Sequence, residues 1–398
     1  MTGIDDLLAS REMVLVTGSG GVGKTTIAAA LGMAAVQRQQ RKVLVVTVDP
    51  ARRLATALGL AGIGNTPQLV DPDAFVDAGV EVRGELHVAM LDTKAGWDEL
   101  IRRHAPDHET RDAVLANPLY DNLTSRFVHS HDYLAMEQLH DFHATGAFDL
   151  VIVDTPPSRN ALSILDAPGR MADFFGSRLL KWLTVPYRSR LFSAASRPFQ
   201  QVADRVLGSR FLQDIADFFI LFQRMERGFV QRAREVEALV SDPRTSFVVV
   251  TTLEAAPTHE ARFLLEELAD RRLPLGAVIA NRTLPDHLAD RAATDAADAL
   301  TALAGDSSAA PAVAPDGGSE RAIDEIAAAI DADPARVRRV IAKAADRFDD
   351  VSMVAAREAD RRDELSSSVD QLVSVPWASG DIHDLGGLAA VADVLRSG

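Results

Sequence analysis

Short runs of apolar residues, each about the length of a strand, alternate along the chain with longer stretches of helical period. The runs are EMVLVT, KVLVVTV, LHVAML, FDLVIVD, SFVVVTT, LGAVIAN and QLVSV. Unbroken apolar runs of this length mark strands buried on both faces, and segments long enough for crossover helices separate them. The pattern predicts an α/β fold: a mostly parallel sheet of about seven strands with helices on both faces. After the first run, TTIAAALGMAAVQRQQ places Ile27, Leu31, Ala34 and Ala35 on one helical face. From Leu165 to Asp242 no strand pattern is seen, and Phe211, Ile215, Phe218, Phe219, Phe222, Met225 and Phe229 follow helical spacing. This stretch reads as a helical insertion, 165–242, that divides the sheet-bearing core into 1–164 and 243–398. The segment GDSSAAPAVAPDGGSE, Gly305 to Glu320, is small, polar and proline-bearing and reads as a loop, with the sheet resuming at Gln371.

Composition narrows the classes. A hydrophobic fraction of 47% supports a sizeable core, and a formal charge of −15 argues against a nucleic-acid binder or a protein held to anionic lipid by charge. The insertion differs from that background, with eight basic and two acidic residues between Arg170 and Arg210 and half of the chain's aromatic residues between Phe174 and Phe229. An amphipathic, locally basic segment of this kind is a candidate surface for an apolar client helix or a membrane interface; ordinary packing on the core is the alternative. No cysteine is present, so disulfides and cysteine-based metal or redox sites are excluded. Without a signal peptide or an apolar run near 18 residues, the expected setting is the cytoplasm, with transient membrane association at most and no integral span.

Three segments carry candidate chemistry. TGSGGVGKTT, Thr17 to Thr26, fills the frame G-x-x-x-x-G-K-[ST] between a strand and a helix. Its glycines allow backbone N–H groups to turn toward a phosphate chain; Lys24 would reach the β- and γ-phosphates and Thr25 would ligate Mg²⁺. TVDPARRLATAL places Asp49 where a strand ends, either to orient or deprotonate an attacking water or to cap the helix that Pro50 begins. FDLVIVDTPPSRNALSIL ends a buried strand in Asp154, either a Mg²⁺ carboxylate reached directly or through water, or a capping acid.

These motifs in this order, followed by VVTTLEAAPTHEARFLLEEL, VIANRT and VPWASGDIHDLGGL, resemble the arsenite-pump and tail-anchored-protein-targeting ATPase family of deviant P-loop ATPases. NLTSRFVHSHDYLAMEQLH and DTPPSRNALSILDAP resemble most an actinobacterial branch of paired, non-identical subunits. The resemblance implies ATP and Mg²⁺ as ligands, with Gly20, Gly21, Val22, Gly23, Lys24, Thr25 and Thr26 forming the loop. It puts the switch aspartates at Asp49 and Asp154, gives Asn281 the adenine edge and Pro376 a place beside that base, and sets Glu254 near the nucleotide at a dimer interface. The implied activity is ATP hydrolysis coupled to capture or targeting of a client. The implied partner is a second subunit, either a paralogue or another copy.

One letter departs from the family. The second loop residue is normally a lysine that reaches the phosphates of the opposite subunit, and here it is Ser19, neutral and too short. A cation supplied in this way is worth about 10³-fold or more in rate. Three readings follow: a lysine-bearing paralogue supplies it, Arg52, Arg53 or Arg159 replaces it, or the chain binds ATP and acts as a regulatory subunit that hydrolyses little. An anion-pump subunit is a further alternative, although the family's arsenite-binding cysteines are missing. His129, His131, His140 and His143 crowd one segment, but their spacing matches no standard ligand set and reads as a polar helix face.

Overall fold

The computed structural model describes residues 3–47, 53–60, 62–91, 98, 101–103, 105–118, 120, 130–155, 218, 220–221, 224–304, 318–378 and 380–397. Eight strands form one sheet in the order β3-β4-β2-β5-β1-β6-β7-β8. They are β1 (Met13–Thr17), β2 (Lys42–Thr47), β3 (Gln68–Leu69), β4 (Glu85–Met90), β5 (Leu150–Asp154), β6 (Thr245–Thr251), β7 (Leu275–Thr283) and β8 (Leu372–Pro376). Seven are the predicted apolar runs. The eighth, β3, is a two-residue antiparallel edge against β4, with both residues exposed, and it has no apolar pattern to betray it.

Strand interiors are apolar on both sides because helices cover both sides. Val14, Val16, Val43, Val45, Ile152, Val248 and Val250 point into one core with helices Lys24–Arg38 and Leu385–Ser397. Met13, Leu15, Leu44, Val46, Val151, Val153, Phe247 and Val249 point into the other. Alternation of side chains along each strand divides each run between the two cores.

The second core also receives Val236, Leu239 and Val240 from helix Glu226–Val240, so the last helix of the stretch read as an insertion packs on the sheet. Arg232 fixes it to helix Ser130–Ala144: Nε donates to Glu137 Oε1 at 3.0 Å, and Nη1 lies 2.7 Å from His140 Nδ1. Glu137 is only 3% exposed, so the guanidinium supplies the partner that a buried carboxylate requires. Phe218 and Met225, two members of the insertion's apolar stripe, are buried within the chain. Phe211, Ile215, Phe219 and Phe222, the side chain of Phe229, and most of 165–242 lie outside the described residues.

Between β7 and β8 the chain makes a helical excursion that the apolar runs did not announce. Helices Arg291–Ala304, Gly318–Ala329 and Pro334–Ser366 build a small cluster of their own around Ile323, Ala327 and Val337. The loop read over Gly305 to Glu320 therefore gives way to helix at Gly318; residues 305–317 lie outside the described ones. The long helix starts where Asp333 accepts from Ala335 N–H and Pro334 occupies the first turn. The sheet resumes at Leu372, close to the predicted Gln371.

At the edge of the sheet where β1 and β6 begin, the side chains of Glu12, His143, Asp242 and Arg244 interlock. The Glu12 carboxylate lies 2.8 Å from His143 Nε2 and 3.0 Å from Arg244 Nη1, while Arg244 Nη2 lies 2.9 Å from Asp242 Oδ2. Burial opposes ionisation of Glu12, and hydrogen bonds from His143 and Arg244 outweigh it, lowering its pKa. Side-chain and backbone hydrogen bonds from Arg244 hold Asp242 down to about 2. A depressed folded pKa stabilises the fold above the ordinary aspartate range, and that contribution is lost as pH falls toward the folded value. The denaturation midpoint should accordingly fall as pH drops from about 4 to about 2, and Asp242→Asn should flatten the profile in that window while lowering stability at neutral pH.

Candidate functional site

β1 runs through the middle of the sheet, and the chain leaves it at Thr17 into the glycine-rich loop. Strands β2, β3 and β4 lie beyond β5 on one side; β6, β7 and β8 lie on the other. The loop thus opens at the carboxyl edge where the strand order reverses, the usual ligand crevice of such sheets. Two glycines are required by geometry. A Cβ on Gly18 would lie 2.1 Å from the Val250 carbonyl oxygen, and Gly23, at φ 94°, would press a Cβ to 2.3 Å from Asn281 Nδ2. Gly23 is also the N-cap of helix Lys24–Arg38 and offers no side-chain cap, which leaves the first N–H groups directed at an incoming anion.

A cavity of about 1250 Å³ opens over this loop. Gly20, Gly21, Gly23, Lys24, Thr25, Thr26, Asp154, Asn281 and Pro376 all line it, so most of the residues singled out in sequence converge there. Val22 is buried behind the wall, where its carbonyl accepts from Asn281 Nδ2 at 2.8 Å. Glu254, exposed at the start of helix Ala255–Asp270, is not among the cavity residues. Asp49, Arg52 and Arg159 lie outside the described residues, as does the side chain of Arg53.

The polar end of the cavity is tightly organised. Thr25 Oγ1 donates to Asp154 Oδ2 at 2.7 Å, and Thr47 Oγ1 donates to the same oxygen at 2.9 Å. Register explains the meeting, since Asp154 pairs with Thr47 of β2 on one side and with Val16 of β1 on the other. Lys24, 6% exposed, donates from Nζ to the Ser19 carbonyl at 2.8 Å, folding its ammonium back over the loop. Ser19 contributes that carbonyl; its hydroxyl is buried and has no hydrogen-bond partner among the described residues.

Leu54, Val375, Pro376, Trp377 and Ile382 add apolar surface to the lining, alongside the polar Asp381 and His383. Trp377 is 66% exposed and anchored through its backbone N–H to the Thr283 carbonyl at 3.0 Å. The cavity therefore offers N–H groups and an ammonium to a chain of phosphates, and apolar side chains to a base. Thr47, Arg282 and Trp377 were not singled out in sequence. His140 and His143 face Arg232 and Glu12 respectively, and no group of three or more metal-binding side chains occurs among the described residues.

A phosphate-binding loop between strand and helix, an acid at the tip of the neighbouring strand and a mostly parallel sheet define a P-loop nucleotide-binding ATPase fold. The chain belongs to the anion-transporting ATPase family, whose model matches residues 11–300. It is similar to an uncharacterized protein of Streptomyces coelicolor, 28% identical over 276 residues, covering 69% of this chain and 63% of that protein. An arsenical pump-driving ATPase of Acidiphilium multivorum is 26% identical over 281 residues, 71% of this chain and 41% of the relative. ATPase GET3 of Malassezia globosa is 25% identical over 279 residues, 69% and 73% of the two chains. No helix among the described residues is long and apolar enough to cross a membrane.

The Gly23 geometry generates a direct test. Gly23→Ala forces an unfavourable φ on alanine and drives its methyl into Asn281, so ATP affinity, measured by titration of a fluorescent nucleotide, should fall by at least about tenfold.

Proposed function

We propose that this chain is a Mg²⁺-dependent ATP-hydrolysing subunit of a dimer, in which nucleotide state governs the capture or targeting of an apolar or membrane-protein client. The observation that carries the nucleotide part is the convergence of Thr25 and Asp154 beside Lys24 in one cavity, with Thr47 bonded to the same Asp154 oxygen. The Thr25 hydroxyl and Asp154 carboxylate are hard oxygen donors suited to Mg²⁺, which takes oxygen ligands and keeps several waters. Bound with the nucleotide, the ion would neutralise charge on the β- and γ-phosphates. Asn281 and Pro376, on adjacent strands, would flank the base.

In the proposed reaction, Asp49 orients the attacking water, accepts its proton as the γ-phosphate is attacked, and the ADP leaves. The client part rests on the resemblance and on the basic, aromatic composition of the insertion. Ser19 favours a second reading, in which this subunit binds ATP, turns it over slowly and switches a partner that carries the loop lysine. Glu254, exposed at the carboxyl edge, would meet that partner.

Calorimetry and phosphate release on the same preparations test the nucleotide reading. Lys24→Ala should lose ATP binding, while Asp49→Asn should keep binding and lose turnover. Retained binding in Lys24→Ala would sink the assignment of the loop. For the partner, turnover of a mixture with a lysine-bearing paralogue should exceed the sum of the separate rates by far; equal rates would favour the arginines of this chain instead.

A further inference from the structure

β7 departs from regular strand geometry at one residue beside the nucleotide cavity. Its pairing with β8 runs in register from Val278 to Asn281 and then shifts, so that Thr283 stands opposite Pro376 and Arg282 is passed over. Arg282 has a φ of 59°, in the left-handed region that strains a residue with a Cβ. Its backbone N–H donates to Asn281 Oδ1 at 3.0 Å, which holds the irregular turn. Bulges of this kind re-aim side chains next to functional sites. Here the guanidinium is aimed at the phosphate-binding loop, where Nη1 donates to the Gly21 carbonyl at 3.2 Å.

Asn281 and Arg282 thus hold two successive loop carbonyls, Val22 and Gly21. A trans peptide unit points its C=O and the following N–H in opposite directions. With the Gly21 oxygen drawn toward β7, the Val22 N–H must point away from it; with the Val22 oxygen held likewise, so must the Gly23 N–H. These are the donors that such a loop uses to cradle phosphate. The loop itself carries one cation, Lys24, and Ser19 adds none. A guanidinium has five N–H donors in a planar fork, so the contact with Gly21 leaves others for phosphate oxygens.

We propose that Arg282 is a positioning residue of the nucleotide site. It sets the orientation of the loop N–H groups through Gly21 and presents a fixed positive charge to the phosphates of a nucleoside triphosphate. In this way it performs within the chain part of what a loop lysine would do. The inference rests on the reading of the cavity as an ATP site.

The positive φ provides a clean variant. Glycine adopts that backbone freely, so Arg282→Gly keeps the bulge and removes only the side chain. ATP titration by calorimetry and nucleotide-free melting temperature would be measured on the full chain, on Arg282→Gly and on Arg282→Lys. Arg282→Gly should weaken ATP binding by about tenfold or more, the effect expected for a lost hydrogen bond to a charged group, with an equal or higher melting temperature. Arg282→Lys should recover part of the affinity and keep its salt dependence, because charge is retained and the fork is lost. Unchanged ATP affinity in Arg282→Gly, with binding abolished by Lys24→Ala, would overturn this inference alone. A marked drop in melting temperature accompanying the loss of affinity would also overturn it, in favour of a purely structural arginine. Absence of ATP binding by the unsubstituted chain would overturn the nucleotide reading and this inference with it.

Discussion

One carboxylate oxygen, Asp154 Oδ2, receives hydroxyl hydrogen bonds from Thr25 and Thr47, and the arrangement of the nucleotide edge depends on those two contacts. Asp154 is 1% exposed, and a carboxylate so far from solvent needs donors, which here converge on Oδ2. The donors come from different elements: Thr47 ends β2, and Thr25 lies in the first turn of the helix that follows the loop. Sharing that one oxygen therefore fixes the tip of β5, the tip of β2 and the start of the helix relative to one another. The loop, slung between β1 and that helix, has little freedom left. Structural and chemical requirements coincide here, because Thr25 and Asp154, bonded to each other in this fold, are also the two oxygen donors proposed for a cation bound with the nucleotide.

The fold was legible wherever burial leaves a one-dimensional trace. Strands covered on both faces must be apolar throughout, and the seven runs gave seven strands; β3, exposed and only two residues long, leaves no such trace. The phosphate-binding loop was legible because glycine is the residue its backbone demands, as Gly18 and Gly23 demonstrate. Thr47 was hidden because its significance comes from the register of β2 on β5, which no local pattern encodes. Arg282 was hidden for a similar reason, since an arginine after a strand-like run gives no sign that the backbone will bulge and bring its side chain to the phosphate-binding loop. The helix Pro334–Ser366 is rich in charge and poor in large apolar residues, so it presents no broad stripe, although Asp333 and Pro334 mark its start plainly.

That helix has a mechanical consequence. Asn281 and Val375 face each other across β7 and β8, yet the whole three-helix excursion intervenes between them in the chain. Near its C-terminal end the long helix is tied to the same edge: Glu358 accepts from the Leu284 N–H at 2.9 Å, Arg361 donates to the Leu253 carbonyl at 2.8 Å, and Arg362 pairs with Asp286. From these ties to Pro334 is about 40 Å of continuous helix at 1.5 Å per residue. A tilt of about 5° at the strand tips, too small to break a hydrogen bond, sweeps the far end through about 3 Å. The β7–β8 wall of the cavity is in this sense the short arm of a lever whose long arm ends well away from the phosphate-binding loop.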